Sequence, residues 1–360
     1  MIGLTFIGDI FPGDELFTKG YGIKSKTDES HICLWTKNIR DVVGETNYII
    51  GNLEGPLIEE ANAMDATFYG KPAFAEVLEK SGINILNVAN NHILEHGVEG
   101  FIHTQKTLQA QQLQTIGEIA DGTPKILIIQ DEETKICMAG FCDERVCVKN
   151  NPNCYSSLDE KQICDTLERM KALHPDVIVF VFHWGNEYIH VPSLEQRHLA
   201  YKLIDAGVHL IVGHHPHVIQ PYEQYKNGHI IYSLGNFCFD DVQSDHFSKG
   251  MIARVSIQEQ VINNISFEGV IVQDQAYTDD IVRSMDSLKF DSYFSQINRK
   301  YNQLKLLPDN EYQANYKKEH HHSHTKERIF MRLSLIKKMM DIHHRHKMQL
   351  LENFKNYLAH

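Results

Sequence analysis

The sequence predicts an α/β fold on three observations. Short apolar runs rich in Val, Ile and Phe alternate with longer amphipathic stretches between residue 3 and about residue 273, as strands alternate with helices in this class. Several runs are apolar throughout, which is typical of strands buried on both faces. Polar side chains follow the runs at their carboxyl ends, where α/β proteins place functional groups.

The strand and helix candidates follow one another along this region. Strands are predicted at residues 4–10, 48–53, 83–88, 125–130, 136–141, 177–182, 210–212 and 230–234. Helices are predicted at residues 71–80, 98–111, 160–173 and 194–206, and the last ends before Gly207, a residue type common just past helix ends. Residues 251–257 and 261–272 predict an antiparallel pair that closes the domain.

Composition excludes several classes of protein. At 360 residues, 42% hydrophobic and 23% charged, the chain has the balance of a globular protein of one or two domains and not of a disordered one. Its formal charge of -12 and the absence of a recognised sequence signature argue against nucleic-acid binding. No run approaches the roughly 18 apolar residues of a membrane-spanning helix, and no signal peptide is recognised, so we expect a cytoplasmic protein.

Cysteine and histidine carry different signals. The 7 cysteines include no C-x-x-C pair, so neither a disulfide framework nor a structural zinc site is indicated, and we expect reduced thiols. The 22 histidines are an unusually large number and they cluster along the chain. Fourteen of them lie before residue 285 and eight lie after it, so the two groups need not share one role.

The C-terminal part of the chain differs in charge from the rest. Residues 285–360 hold 14 Lys+Arg and 8 Asp+Glu, whereas residues 1–284 hold 21 and 39. We divide the chain into a domain at 1–275, a connecting segment at 276–325 that contains a His-rich solvated linker, and an amphipathic basic helical extension at 326–360. Three interpretations of the extension stay open: packing on the domain, pairing in a homodimer, and contact with a membrane surface or an acidic polymer.

Chemistry-bearing side chains gather in motifs after the predicted strands. The motifs are Gly8-Asp9, Gly51-Asn52-Leu53-Glu54, Asn90-Asn91-His92, His183-Trp184-Gly185-Asn186-Glu187, Gly213-His214-His215-Pro216-His217 and Ser233-Leu234-Gly235-Asn236-Phe237. Imidazole with carboxylate and amide oxygens suits Zn, Mn or Fe, and a mixed set from separate strands is how a two-metal hydrolase site is assembled. A lone Asp after a strand is more often a turn former or a helix cap. Three imidazoles within four residues are harder to explain without a metal.

This ordered set of motifs resembles the CapA family of bacterial capsule synthesis proteins of the poly-gamma-glutamate system, a branch of the calcineurin-like metallophosphoesterases. The resemblance extends over about residues 3–242. It implies a four-layer α-β-β-α sandwich with a dinuclear metal centre at one edge. With the segments after the domain, the expected architecture is this sandwich followed by a C-terminal helical extension.

The resemblance also implies roles for individual residues. The metal ligands it implies are Asp9, Glu54, Asn91, His183, His215 and His217. His92 would protonate a leaving group or stabilise a phosphoryl oxygen. Glu187 is the second catalytic candidate, and it is open whether it binds metal, orients an imidazole or acts as a general base, of which we favour the orienting role.

One residue departs from the superfamily pattern. The first motif there is Asp-x-His, but Phe11 stands two residues after Asp9 and offers no ligand atom. A metal position is then weak, empty, or completed by His214, Glu187 or Asn52. We therefore expect one or two divalent ions, with Mn, Fe and Zn the candidates. Asn236 is interpreted as shaping the pocket.

Two functions of different classes follow from the motifs and the resemblance. The first is a metal-dependent hydrolase that cleaves a phosphoester or a related bond in an anionic small molecule or polymer through a metal-activated hydroxide. The second is a non-catalytic component of capsule or exopolymer assembly or export, in which the metal site serves binding or structure. Metal content and turnover, measured together, distinguish them.

Overall fold

The computed structural model of the chain describes residues 1–14, 18–59, 68–147, 153–239, 248–275, 277–341, 347–348 and 351. Its strands are β1 (Ile2–Phe11), β2 (Tyr48–Leu53), β3 (Ile83–Asn87), β4 (Gln114–Ile116), β5 (Ile119–Ala120), β6 (Thr123–Pro124), β7 (Leu127–Gln130), β8 (Lys135–Cys142), β9 (Val177–His183), β10 (Leu210–His214), β11 (Tyr222–Tyr225), β12 (Gly228–Ile231), β13 (Asn236–Phe239), β14 (Lys249–Gln258), β15 (Val261–Val272) and β16 (Val282–Ser284). Its α-helices are α1 (Ile23–Lys26), α2 (Glu29–Val43), α3 (Phe74–Lys80), α4 (Gly97–Ala110), α5 (Glu160–Lys171), α6 (Leu194–Asp205), α7 (Ser287–Leu304) and α8 (Asp309–Asp341). Much of the predicted extension, including residues 342–346, 349–350 and 352–360, lies outside the described residues.

Within the described residues the strands form two large sheets and one small pair. The first sheet has the order β16-β15-β14-β1-β2-β3-β4, and β13 pairs with the end of β1 beyond its pairing with β14. The second sheet has the order β11-β12-β10-β9-β8-β7, and β5 pairs with β6. The strands β1, β2 and β3 run parallel, as do β8, β9 and β10. Their carboxyl ends therefore meet at one edge of each sheet.

The central strands are apolar along their length because both of their faces are covered. On β2, Ile50 joins the core between the two sheets, while its neighbour Ile49 joins the core on the opposite face. Val179 and Val181 of β9 belong to the same core between the sheets as Ile50. Full burial of such side chains is worth about 1.5–3 kcal/mol each, so this double-sided burial fixes the register of the strands.

Helices cover the outer face of each sheet. Trp35 of α2, Phe74 of α3 and Leu108 of α4 lie in the core outside the first sheet. Ile163 of α5 and Leu203 of α6 lie in the core outside the second sheet. The described residues thus form the layers α-β-β-α, and the fold class predicted from the sequence is confirmed.

Most of the predicted elements are present with ends shifted by a few residues. The strand predicted at 48–53 has the same limits as β2, and the closing pair β14 and β15 is antiparallel as expected. Helix α2 is an element that the sequence analysis did not contain. Its buried residues, Ile32, Trp35, Ile39 and Val43, stand three or four apart among polar residues, and the Asp28 side chain caps its first turn.

The chain beyond residue 275 adds to the sandwich. Strand β16 pairs with the edge strand β15 of the first sheet. Helix α7 buries Phe290 and Ile297 in the core between the sheets. The segment at 276–325, predicted to connect two parts of the chain, therefore carries a strand and a helix that pack on the domain.

Helix α8 begins at Asp309, well before the start at residue 326 that the periodicity predicts. The His-rich run at 320–324 lies inside this helix and not in an unstructured linker. The first turns of α8 pack on the domain, where the hydroxyl of Tyr312 donates to the carbonyl of Pro192 at 2.7 Å. Contact of the basic extension with a membrane surface or a polymer, and pairing with a second copy, stay predictions. In the described part of the chain, no helix combines the length and the apolar character that crossing a bilayer requires.

Candidate metal centre

The carboxyl ends of strands from both sheets meet at the candidate site. Asp9 of β1 stands opposite Asn52 of β2 and Asn236 of β13 in the first sheet. The approach of β1 to the chain before β13 requires a glycine at position 8, because a Cβ there would lie 2.1 Å from the carbonyl oxygen of Gly235. The Asp9 amide donates to that same carbonyl at 2.9 Å. These contacts fix the Asp9 carboxylate at the edge of the sheet.

The Asp9 carboxylate is fully buried and held by hydrogen bonds from both sheets. Its Oδ1 accepts from Asn52 Nδ2 and from His214 Nδ1, each at 2.9 Å. The amide of His215 donates to its Oδ2 at 3.3 Å. Burial alone would raise the pKa of Asp9, but hydrogen bonds with His214 and His217 hold that pKa well below its ordinary value. Asp9 is therefore a carboxylate at every physiological pH.

The Glu54 carboxylate lies between the imidazole that ends β9 and an imidazole in the turn after β10. Its Oε1 is 3.6 Å from Nε2 of His183 and 3.5 Å from Nε2 of His217. Among the described residues, Asp9, Glu54 and His183 bring ligand atoms within 4.8 Å of one another, and so do Glu54, His215 and His217. Glu54 belongs to both groups, which is the arrangement that two ions sharing one carboxylate would need.

Three buried imidazoles of this cluster differ in charge. Burial is the main reason that the pKa of His183 lies well below its ordinary value, and the neighbouring His215 lowers this pKa further. Burial also lowers the pKa of His215 to about 4, against the opposing effect of Glu187. Burial opposes the charge on His217 as well, but the carboxylates of Glu54 and Asp9 raise its pKa to about 10. At neutral pH the cluster therefore holds two neutral imidazoles and one imidazolium.

The turn after β10 places His215 and His217 in an unusual backbone conformation. Their φ angles are 92° and 56°, in the left-handed region that side chains other than glycine rarely adopt. Such strain is retained where the surrounding structure and the function require it. The Nδ1 of His215 and the Nε2 of His214 are buried without a hydrogen-bond partner among the described residues. A buried nitrogen of this kind is costly unless a ligand meets it.

The turn after β3 contributes an amide and a further imidazole. Nε2 of His183 donates to Oδ1 of Asn91 at 2.8 Å, which brings the Asn91 oxygen to the cluster. His92 is partly exposed, and its Nδ1 donates to Oε1 of Glu95 at 2.9 Å. The His92 ring stacks on Phe68 with centroids 4.2 Å apart and an angle of 4°. Glu95 and Phe68 together fix the orientation of the imidazole.

Neither Phe11 nor Asn52 is positioned to complete a set of metal ligands. Phe11 is fully buried, with its ring 5.4 Å from that of Phe68 and 5.3 Å from that of Phe239. An aromatic cluster thus occupies the position where the Asp-x-His pattern has an imidazole. The side-chain nitrogen Nδ2 of Asn52 donates to Asp9, while the side-chain oxygen Oδ1 of Asn52 accepts from Asn87 Nδ2 at 2.9 Å. Asn52 thus acts as a donor that orients a carboxylate.

The remaining candidates surround the histidines. His214 uses Nδ1 to hold Asp9, and it belongs to neither ligand group. Glu187 is half-buried. Burial alone would raise its pKa, but the nearby His217 and His215 lower that pKa below its ordinary value. Oδ1 of Asn236 accepts from His217 Nδ1 at 2.9 Å. The structure thus places all the candidate ligands at one edge of the sandwich, with Asn236 and Glu187 close to His217.

Two residues at the site were missed by the sequence analysis. Glu95 follows His92 by three residues, a spacing that a search for partners of the imidazole would have found. Asn87 ends β3, and its amide also donates to the carbonyl of Ala89 at 2.9 Å. Its contact with Asn52 joins strands distant in sequence and is visible only in the fold.

Comparison with known proteins gives consistent matches. The family model described as "Bacterial capsule synthesis protein PGA_cap" matches residues 3–241. The "PGA biosynthesis protein CapA" of Bacillus subtilis is 31% identical over 251 residues, which are 67% of this chain and 64% of that protein. The "Capsule biosynthesis protein CapA" of Bacillus anthracis is 32% identical over 256 residues, 66% of this chain and 59% of that protein. The matches thus span less than two thirds of either relative. The calcineurin-like phosphoesterase YfkN of Bacillus subtilis is similar in structure with a TM-score of 0.45 and 14% identity, over 74% of this chain and 90% of that one.

Proposed function

The chain belongs to the PGA_cap family of bacterial capsule synthesis proteins, and from that premise we propose that it is a metal-dependent hydrolase. The bond cleaved is a phosphoester or a related bond in an anionic small molecule or polymer. The single observation that carries the proposal is the pair of ligand groups that share the buried carboxylate of Glu54. A set of carboxylates and imidazoles buried together has no role in packing that apolar residues would not serve better.

The residues fit two divalent ions. Asp9, Glu54 and His183 would hold one ion, and Glu54, His215 and His217 would hold the other. The Asn91 oxygen would join the first group. The partnerless Nδ1 of His215 supports the fit, because a buried imidazole nitrogen gains most from a ligand. The mixture of imidazole, carboxylate and amide oxygen suits Zn, Mn or Fe.

The chemistry divides between the ions and the chain. When bound, divalent ions supply Lewis acidity and a hydroxide nucleophile near neutral pH. Glu95 and Phe68 hold the imidazole of His92, which follows the candidate ligand Asn91 directly, and we assign His92 the role of giving a proton to the leaving group. Asn52 and His214 hold the Asp9 carboxylate in place from two sides. Glu187, close to His217 and His215, is assigned to orienting those imidazoles.

Charge supports an anionic substrate that is bound chiefly at the centre. Residues 1–284 carry 21 basic and 39 acidic side chains, so most of this surface repels an anion. Two divalent ions would offset the carboxylates of Asp9 and Glu54 and make the site attractive to a phosphate or carboxylate group. The basic extension at 326–360 is the other region that would attract such a polymer.

The experiment that tests the proposal is a hydrolysis assay on protein loaded separately with Mn, Fe or Zn. The substrates are phosphomonoesters, phosphodiesters and gamma-glutamyl polymers, and the variants are His92→Ala and Asp9→Ala. A matched control is His198→Ala, because His198 is 55% exposed and pairs with Asp309 away from the cluster. We expect turnover in the wild type and the control and its loss in both site variants. Bound metal without turnover on any substrate would instead support the non-catalytic assembly role.

A further inference from the structure

Two cysteines at the end of β8 lie side by side. The sulfur atoms of Cys142 and Cys147 are 3.4 Å apart. Cys142 is fully buried and Cys147 is partly exposed. Two thiol sulfurs at this distance need only a small side-chain rotation to reach the 2.05 Å or so of a disulfide bond. The proposed hydrolase reaction uses neither of them.

The local backbone explains why residues five apart meet. Strand β8 ends at Cys142, and a 3₁₀ turn at Glu144–Val146 follows, begun by the side chain of Asp143. The amide of Cys147 donates to the carbonyl of Glu144 at 3.2 Å and closes the turn. Both thiols then lie near the same backbone oxygen, that of Asp143, at 3.6 and 3.5 Å. The turn therefore brings Cys147 next to Cys142.

The surroundings of Cys147 favour its thiolate. The hydroxyl of Tyr155 donates to Sγ of Cys147 at 3.1 Å. The hydrogen bond from Cys142, aided by that from Tyr155, lowers the pKa of the Cys147 thiol. A partly exposed, stabilised thiolate next to a buried partner thiol is the arrangement that redox-sensitive cysteines share.

We propose that Cys142 and Cys147 are a redox-active pair that a hydroperoxide converts into a reversible disulfide. The Cys147 thiolate attacks one oxygen of hydrogen peroxide, the O–O bond breaks, and the departing hydroxide takes up the proton that the Cys147 thiol released and becomes water. The sulfur of Cys142 then attacks the resulting sulfenic acid, the S–S bond forms, and a second water leaves with the thiol proton. Two thiols are oxidised by two electrons and one peroxide is reduced to two waters.

The pair is adjacent to the candidate metal centre. Cys142 is paired with His183 across the ladder between β8 and β9. The amide of Asp143, between the two cysteines, donates to the carbonyl of His183 at 2.9 Å. A disulfide at this turn would form directly beside a strand that supplies a candidate ligand.

The test uses the full chain treated with hydrogen peroxide, then alkylated and mapped by mass spectrometry without reduction. We expect two fewer alkylated thiols, a cross-linked peptide joining Cys142 to Cys147, and recovery of both thiols after dithiothreitol. The variant Cys147→Ser should give no such cross-link, and Cys147→Ala serves if the serine variant does not fold. The matched control Cys164→Ser removes another partly exposed thiol, on α5, and should behave as the wild type.

Two results would overturn the proposal. In one, peroxide leaves Cys142 and Cys147 alkylatable at concentrations that oxidise the exposed Cys33. In the other, Cys147 forms its disulfide with a different cysteine. Neither result bears on the hydrolase proposal, because the test reads thiols and not metal or turnover.

Discussion

His217 is the residue at which protons and metal ions would compete. Its pKa is raised to about 10 because, against the effect of burial, the carboxylates of Glu54 and Asp9 stabilise the imidazolium. The lowered pKa of His183 and that of His215, at about 4, leave those two imidazoles neutral at the same pH. Metal binding at neutral pH therefore has to displace one proton, from His217.

We expect the apparent metal affinity to rise roughly tenfold per pH unit between about pH 6 and pH 9, since one proton is released per chain. The sign follows from the raised pKa: below about 10 the proton occupies the ligand, and it becomes easier to remove as the pH rises. Isothermal titration in buffers of different ionisation enthalpy measures the released proton. The variant His217→Gln should bind metal more weakly and lose this pH dependence, whereas an affinity of the wild type that is flat across the range would refute the assignment.

Variants of His92 and Glu95 should lower turnover without changing the metal content. We expect His92→Ala to lower turnover about 10²- to 10⁴-fold, the usual contribution of a general acid. Glu95→Gln keeps an acceptor but removes the negative charge that faces the imidazole, and it should lower turnover about 10- to 100-fold, with a changed pH profile. Metal content should stay at the wild-type level in both variants.

The matched control for Glu95→Gln is Glu99→Gln, an exposed acid on the first turn of α4. It should leave both turnover and metal content unchanged. Loss of bound metal in His92→Ala would show that His92 holds the ion. Unchanged turnover in Glu95→Gln would show that Glu95 does not orient the imidazole of His92.

At the scale of elements, α7 is tied to the second sheet by a buried acid on β11. Glu223 is 7% exposed and accepts hydrogen bonds from the hydroxyls of Tyr301 on α7, at 2.6 Å, and Tyr232, at 3.1 Å. Tyr201 on α6 donates to it at 2.8 Å, and Nζ of Lys305 donates at 3.0 Å. One carboxylate therefore joins two helices to the sheet.

We expect Glu223→Gln to lower the free energy of unfolding by about 2–4 kcal/mol, because the buried hydroxyls and Lys305 lose a charged acceptor. Urea unfolding followed by circular dichroism measures the change. The control Glu268→Gln breaks the ion pair of a 51% exposed acid with Arg254 on the edge of the first sheet, and should cost less than about 1 kcal/mol. Equal effects of the two variants would show that the Glu223 cluster does not anchor α7.

The elements differ in how far the sequence predicts them. Central strands such as β2 and β9 are continuous apolar runs buried on both faces, and short runs of this kind are typical of strands inside a parallel sheet. Helix α7 was not predicted because its buried residues, among them Phe290, Ile297 and Tyr301, stand four to seven apart among polar ones. The His-rich run stands in a polar stretch with no strand before it, which predicts a solvated linker, whereas in the structure the run continues a helix that begins at Asp309.

At the scale of the whole molecule, the two sheets each supply part of the candidate site. In the first sheet Asp9 lies near the end of β1, and Glu54 and Asn91 follow β2 and β3. In the second sheet His183 ends β9, and His215 and His217 follow β10. The motifs place these six residues among the candidates because each stands at or near the carboxyl end of a strand, but it is the family resemblance that implies them as the ligands. The orienting contacts of Asn52, Asn87 and Glu95 depend on distances between strands and turns, which the sequence does not contain.

Since ions would bridge the sheets, metal should stabilise the whole sandwich. At a free ion concentration of about 100 times the dissociation constant, binding adds about 2.7 kcal/mol. For a domain of this size that raises Tm by about 4 °C. Differential scanning calorimetry of the chelated and the loaded protein measures the shift, which should be smaller in His215→Ala. A Tm that does not respond to any of the three metals would contradict a centre shared between the sheets.

Glu54 belongs to both ligand groups, so the number of metal ions bound per chain tests whether two ions share its carboxylate. After equilibrium dialysis against Mn, Fe or Zn, plasma mass spectrometry should find two ions per wild-type chain. His215→Ala should keep the one ion held by Asp9 and His183, Glu54→Gln should lose both, and the control Glu99→Gln, at an exposed acid on α4, should keep both. A wild-type chain that binds fewer than two ions, or a Glu54→Gln variant that binds as many as the wild type, would contradict this arrangement.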